Sequence, residues 1–212
     1  SKVISSSKER ETATLIRSLH VMKELSSDEE FLWQPEATFD FTETVKHSIQ
    51  GYCWLFPLIV GKRHFVNLGI VDLDVIHRSR FSLLPAFTEF LARKGIKEAK
   101  IEGYPSRIFD SNSIFSDNRI LFVGDVAGID GLWGEGISYS LGYGNVAALE
   151  IRDALETNDF SFSHYKYRLL NHELGQKLQR KLLTAQKLYS FPTGDINIWR
   201  HIVAILAPNG CC

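Results

Sequence analysis

Apolar residues Leu15, Leu19 and Met22 recur at helical spacing, and the stretch from Lys8 to Leu25 is expected to form a helix. From Glu36 the period changes to two. In ATFDF, Phe39 and Phe41 fall on one face of an expected strand. IQGYCWLFP and HFVNLGIVDL follow, joined by a turn around Gly61, and read as an antiparallel meander. SLLPAFTEFLARKG sets Leu83, Leu84, Phe87, Phe90 and Leu91 on one helical face, with Gly95 as C-terminal cap. KEAKIEGYP is expected as a strand and NRILFVG as a buried one. Ile137 then opens a helix in which Ile137, Leu141, Gly144, Ala148, Ile151 and Leu155 recur at steps of three and four. A longer helix is expected from about Ser163 to about Tyr189, and Asp195 as the N-cap of a last one ending near Pro208. Strands grouped in an antiparallel sheet and followed by helices make the expected fold class α+β.

The 212 residues allow a good core, in one or two domains. A formal net charge of −1 lacks the basic surplus of a nucleic-acid binder, so no nucleic-acid partner is expected. No apolar run approaches the ~20 residues that span a bilayer, and SKVISSSKER has no hydrophobic signal region. The chain opens on Ser, which suggests a fragment or a processed chain. Cys53, Cys211 and Cys212 give no disulfide framework, so a cytoplasmic setting is expected. The terminal cysteine pair is read as an arbitrary chain end in preference to a prenylation signal. Lys166, Arg168, Lys177, Arg180, Lys181 and Lys187 make the last long helix basic, against Glu173. A solvated face is the preferred reading; an anionic membrane surface or the phosphates of a nicotinamide cofactor is the alternative.

GDVAGIDGLWGEGISYSLGYG, from Gly124, holds seven glycines directly after an apolar strand and before a helix. Strand, glycine loop and helix start bring bare backbone close to a ligand, and the first helical turn favours electron-rich oxygen. Gly134 and Gly136 remove Cβ atoms that would block a flat ligand, Asp125 can accept bonds from hydroxyls, and Glu135 sits where a helix dipole favours an acid. Gly142, Gly144, Ala147 and Ala148 are read as a packing face that lets the helix lie close to a sheet. GYGNVA matches a dinucleotide-loop pattern, but it lies inside the helical repeat and is dismissed. There is no P-loop, metal-ligand spacing or nucleophile elbow, so no metal is expected and no catalytic residue is named. Tyr52, Trp54 and Phe56 share one strand face, as a core layer or a cavity wall, with Cys53 opposite.

GDVAGIDGLWGEGI resembles the second flavin-binding motif of the geranylgeranyl reductase family, FAD enzymes with a p-hydroxybenzoate hydroxylase-like fold. A common family form is G-D-x-A-G, a spacer, then P-L-x-G-E-G-I; Gly131 stands where the family usually has proline. GYCWLFP is similar to the family's Y-x-W-x-F-P strand beside the flavin; tryptophan halogenases carry a related element. EGYPSRIFD and FSFSHYKYRLL also look like family sequence, so the resemblance spans about residues 36–189.

The resemblance implies cofactor contacts from Gly124, Asp125, Ala127, Gly128, Leu132, Gly134, Glu135, Gly136 and Ile137, with Asp125 on the ribityl chain. It implies a substrate wall of Tyr52, Trp54, Phe56 and Pro57. Residues 1–35 then read as a helical remnant, 36–118 as the antiparallel substrate domain with one helix, 119–157 as the second FAD motif and 158–212 as a C-terminal helical region. The activity implied is an FAD-dependent oxidoreductase, reduced by NAD(P)H or another donor, that saturates C=C bonds of an isoprenoid or other lipophilic substrate. A flavin monooxygenase or halogenase, or a flavin-free binding module, is the alternative. Family members begin with a βαβ unit carrying G-x-G-x-x-G, roughly one further domain. This chain shows no such unit, so a missing N-terminal FAD-binding segment is an expected partner, and peripheral membrane contact is left open.

Overall fold

The structure is a computed structural model that describes residues 15–76 and 81–190. Its centre is a five-stranded antiparallel sheet of β1 (Leu15–Glu24), β2 (Thr38–Asp40), β3 (Cys53–Val60), β4 (Arg63–Asp72) and β5 (Glu102–Arg107), in spatial order β2-β3-β4-β1-β5. β3 and β4 form the expected hairpin around Gly61. The fold is α+β, an antiparallel sheet with, among the described residues, two α-helices between its strands and three more after the last strand.

The first expectation to fail is the helix over residues 8–25. Residues 8–14 lie outside the described part, and Leu15–Glu24 is a strand with a ladder on each side, pairing with β4 and with β5. Ile16 is buried toward one face of the sheet, whereas Val21 is buried toward the other, with Leu19 packed beside it. The buried face therefore changes partway along the strand, so the alternation of a half-buried strand is missing and helical spacing arises by accident. The segment before residue 36 thus holds a central strand and a short 3-10 turn, Ser27–Leu32, in place of a helical remnant.

Helix α1 (Thr42–Lys46) follows β2, and α2 (Leu83–Arg93) covers one sheet face. Phe87 and Phe90 are wholly buried against Val21, Leu55, Val66, Leu68 and Ile70. Each contributes roughly 2–3 kcal/mol by leaving water. Leu84, expected on that face, is exposed. Gly95 ends the helix in a left-handed conformation, φ +77°, as expected. The opposite face carries Ile16, Tyr52, Val71 and Leu73, joined by Ile108, Ile129 and Leu132.

NRILFVG contributes only a two-residue strand, Ile120–Leu121 (β7), paired with Ser116–Asp117 (β6), and Val123 is exposed. Helix α3 (Ile137–Thr157) starts at Ile137 as expected, and GYGNVA lies within it. Its buried face is not the expected one. Tyr139, Tyr143, Val146, Ala147, Glu150 and Ala154 face inward, whereas Ile137, Leu141 and Leu155 are 82%, 72% and 67% exposed. Gly142 packs on Leu174 and Ala147 is buried, but Gly144 and Ala148 are exposed, so the small-residue face meets a helix and not a sheet. The α3 surface is apolar on two sides, and one of them has no partner among the described residues.

The expected long helix is two helices, α4 (Tyr165–Asn171) and α5 (Glu173–Tyr189). His172 breaks it with an extended backbone, ψ 152°, and its Nδ1 accepts from the Leu174 amide at 3.1 Å, capping α5. The basic residues divide. Lys166 donates to the Ser113 carbonyl and Arg168 pairs with Glu150 and Asp153, while Lys177, Arg180 and Lys187 are exposed. The helix expected from Asp195, and Cys211 and Cys212, lie outside the described residues. No described helix is long and apolar enough to cross a membrane.

Candidate functional site

One cavity of about 820 Å³ lies between the sheet and the glycine segment. Its aromatic wall comes from strand periodicity. Tyr52, Trp54 and Phe56 alternate onto one face of β3 and its entry, and Cys53 turns to the opposite core. Burial pushes the Cys53 thiol up to about 12. β2 lies alongside and adds Phe39, with Phe41 next in the chain. Phe39 meets Tyr52 and Phe56 edge-on, with ring centroids 5.1 and 5.4 Å apart. Trp54 stacks near Phe56 at 6.1 Å and donates from Nε1 to Asn67 Oδ1 at 3.0 Å.

The facing wall is the glycine turn. Trp133, Gly134, Glu135, Gly136 and Ile137 line the cavity, so the implied ring-side residues meet the implied substrate wall in one space. Gly134 has φ +66°, a left-handed conformation that glycine adopts without strain. A Cβ on Gly136 would stand 3.0 Å from Asp125 Oδ1, so the bare backbone here lets the carboxylate approach. Asp125 sits in a 3-10 turn, Gly124–Val126, with Oδ2 3.3 Å from Ser106 Oγ.

The turn is pinned on several sides. The Tyr52 hydroxyl donates to the Trp133 carbonyl at 2.5 Å. Burial and the nearby Asp130 and Glu135 charges raise the Tyr52 pKa, so the phenol keeps the proton it donates. Asp130, 0% exposed, accepts from the Leu132 amide at 2.8 Å and from Lys181 Nζ at 2.6 Å, and its carbonyl accepts from the Gly134 amide at 2.9 Å. Gly131, in the family's proline position, is packed against Ile108 and Leu182, where an added Cβ would lie 3.0 and 3.2 Å from side-chain carbons.

Not every implied residue reaches the cavity. Pro57 belongs to β3 but, one step from Phe56, points to the other side and does not line it. Gly124, Asp125, Ala127, Gly128 and Leu132 do not line it either; Ala127 and Leu132 are core residues, and the Gly128 carbonyl accepts from the buried Tyr143 hydroxyl at 2.8 Å. Glu135 lines the cavity with both carboxylate oxygens engaged by Ser138, from its amide at 2.8 Å and its hydroxyl at 2.6 Å. It therefore serves as a cap on the first turn of α3. The sequence reading did not place Trp133, Phe39, Phe41 or Lys181 in the site. The first three are aromatics next to quoted motifs; Lys181 carries no local signal.

Away from the cavity, ligand atoms of Glu43, His47 and Glu89 lie within 4.8 Å of one another. Arg93 holds Glu43 at 3.0 Å and Lys46 holds Glu89 at 2.5 Å, so the cluster is a balanced ion-pair network.

No protein-family model matches the chain, and no curated protein matches its sequence. Its fold is similar to that of a geranylgeranyl bacteriochlorophyll reductase-like protein from Thermoplasma acidophilum, with a TM-score of 0.64 and 20% identity over 92% of this chain. The chain spans about half of that protein, 53% of its length.

Proposed function

We propose that this chain forms the ring-side and substrate-side half of an FAD-dependent oxidoreductase that reduces C=C bonds of an isoprenoid or other lipophilic compound. The observation that carries this reading is one cavity with an aromatic wall on one side and a glycine turn on the other. The space is large enough for a flat ring and an apolar chain together. The likeness of fold to a reductase-like protein supports it.

The residues present fit the ring side of the cofactor. Gly134 and Gly136 offer backbone without side chains, and Asp125 offers carboxylate lone pairs beside them, suited to a hydroxyl-bearing chain. A bound flavin would supply the hydride, drawn from NAD(P)H or another donor. The chain's own residues do the remaining work. Trp54, Phe56, Phe39 and Phe41 exclude water and hold an apolar substrate, and Tyr52 keeps the turn at a fixed distance from that wall. Glu135 holds the first turn of α3 through Ser138.

A dinucleotide-binding unit that completes the FAD site docks, in this proposal, on the exposed stripe Ile137, Leu141, Ile151 and Leu155. A second apolar stripe, opposite the buried face of α3, is the kind of surface that another element normally covers. The unit would hold the pyrophosphate of the cofactor.

The test is the visible spectrum of the chain after mixing with FAD and desalting, alone and together with the reductase-like protein's own additional half. Flavin bands at about 370 and 450 nm retained in either case support the reading, and prenyl-substrate reduction follows. A colourless protein in both leaves the second reading, a flavin-free module that binds lipophilic ligands. That the described residues of this one chain line both walls of the cavity favours that alternative.

A further inference from the structure

Among the described residues that line the cavity, Lys181 is the one cation and Glu135 the one anion. Glu135 is turned to Ser138, as shown above. Lys181 comes from α5, whose inner side otherwise buries Leu178, Ala185 and Leu188. Its ammonium donates to Asp130 Oδ2 at 2.6 Å and lies 5.3 Å from the Tyr139 ring centroid. Although burial disfavours its charge, bonding to Asp130 and Tyr139 outweighs burial and raises its pKa, so it stays protonated. An ammonium has three donors; Asp130 takes one and Tyr139 a second, which leaves one for a ligand. Asp130 is itself wholly buried behind the turn and shares its charge with the Leu132 amide. Lys181 thus brings the cation of this pair to the lining of a mostly apolar, aromatic cavity.

We propose that Lys181 is the anchor for a single anionic or electron-rich edge on an otherwise apolar ligand of this cavity. This deepens the proposed function and rests on the same cavity, but it does not depend on flavin. The apolar body lies on Phe39, Trp54 and Phe56, and the oxygen-bearing edge lies at Lys181. Two sources offer such an edge: the carbonyl-bearing side of a flavin ring, or the head group of an amphipathic substrate.

The experiment titrates the protein with two fluorescent probes that share one apolar skeleton, anilinonaphthalene sulfonate and the uncharged phenylnaphthylamine. K181M alone strands the buried Asp130 carboxylate, so the double variant K181M/D130N, which removes both charges, is measured beside it. K181R keeps the cation. Binding at the exposed stripe of α3 is common to all variants and cancels in the comparison. The expected result is a roughly tenfold loss of sulfonate affinity in K181M/D130N, no change for the uncharged probe, and recovery in K181R. Equal losses for both probes, an unchanged sulfonate, or no binding to the wild type overturns the proposal.

A parallel FAD titration separates the sources. Weaker FAD binding in K181M/D130N assigns the edge to the flavin; unchanged FAD binding assigns it to a substrate head group. If FAD binds no variant of this chain alone, the edge is not assigned to the flavin, and the probe pair still decides the role of Lys181.

Discussion

Gly69→Ala is the sharpest test of how the aromatic wall is set. Gly69 on β4 stands directly opposite Trp54 on β3, and the indole lies flat over it. A Cβ built there falls 2.0 Å from Trp54 Cζ2 and 2.4 Å from both Cε2 and Cη2. Carbon atoms in contact need about 3.5–4.0 Å, so the ring must move by roughly 1.5 Å or more. Movement breaks the Trp54 Nε1 bond to Asn67, about 1 kcal/mol, and adds overpacking strain of about 1–3 kcal/mol. The sum, roughly 2–4 kcal/mol, corresponds to a fall in Tm of roughly 4–16 °C for a chain of this size. The displaced indole also takes cavity space, so affinity for uncharged phenylnaphthylamine falls as well. Thermal unfolding and the probe titration read the two effects separately. A Gly69→Ala protein that melts within a degree or so of wild type and binds the probe unchanged would refute the claim that glycine is needed to seat Trp54.

Three further outcomes are expected. Tyr52→Phe removes one buried hydrogen bond and leaves the Trp133 carbonyl unmatched, lowering stability by about 1–3 kcal/mol in denaturant titration; an unchanged midpoint contradicts the pinning of the turn. The Cys53 thiol, pushed up to about 12 by burial, should resist alkylation in the native protein at mildly alkaline pH and react once unfolded, as read by peptide mapping; prompt native labelling of Cys53 contradicts its placement. Lys46, with His47, holds the Glu89 carboxyl down to about 2, below its ordinary 4.5. Because the folded-state value is the lower one, its stabilisation is complete above 4.5 and disappears as pH falls through about 2. The stability difference between wild type and Glu89→Gln should shrink over that window, and a difference independent of pH there contradicts it.

What could be read from sequence was local. The glycine turn and the face shared by Tyr52, Trp54 and Phe56 are set by residues a few positions apart, and backbone geometry alone brings each into register. β1 was not legible, because its partners β4 and β5 are distant in sequence and its two ends bury opposite faces. The break at His172 was hidden because the residues on both sides favour helix and the cap is a single imidazole nitrogen. Lys181 read as one cation on a basic helix, since its partner Asp130 lies 51 residues away. α3 was misread for a different reason: it is apolar on two sides, and spacing cannot say which side the described fold covers.

Ile129 forms a parallel bridge with Ile108: its amide donates to the Arg107 carbonyl at 2.8 Å, and its carbonyl accepts from the Phe109 amide at 3.0 Å. That seam splices the glycine turn onto the end of the sheet, so the two sides of the cavity belong to one mechanical body. Among the described residues the two walls are joined by this bridge, so the fast motions available to reshape the cavity are side-chain rotations, in picoseconds to nanoseconds. The residence time of an occupant in this chain is then expected to follow from how well it fits these two joined walls.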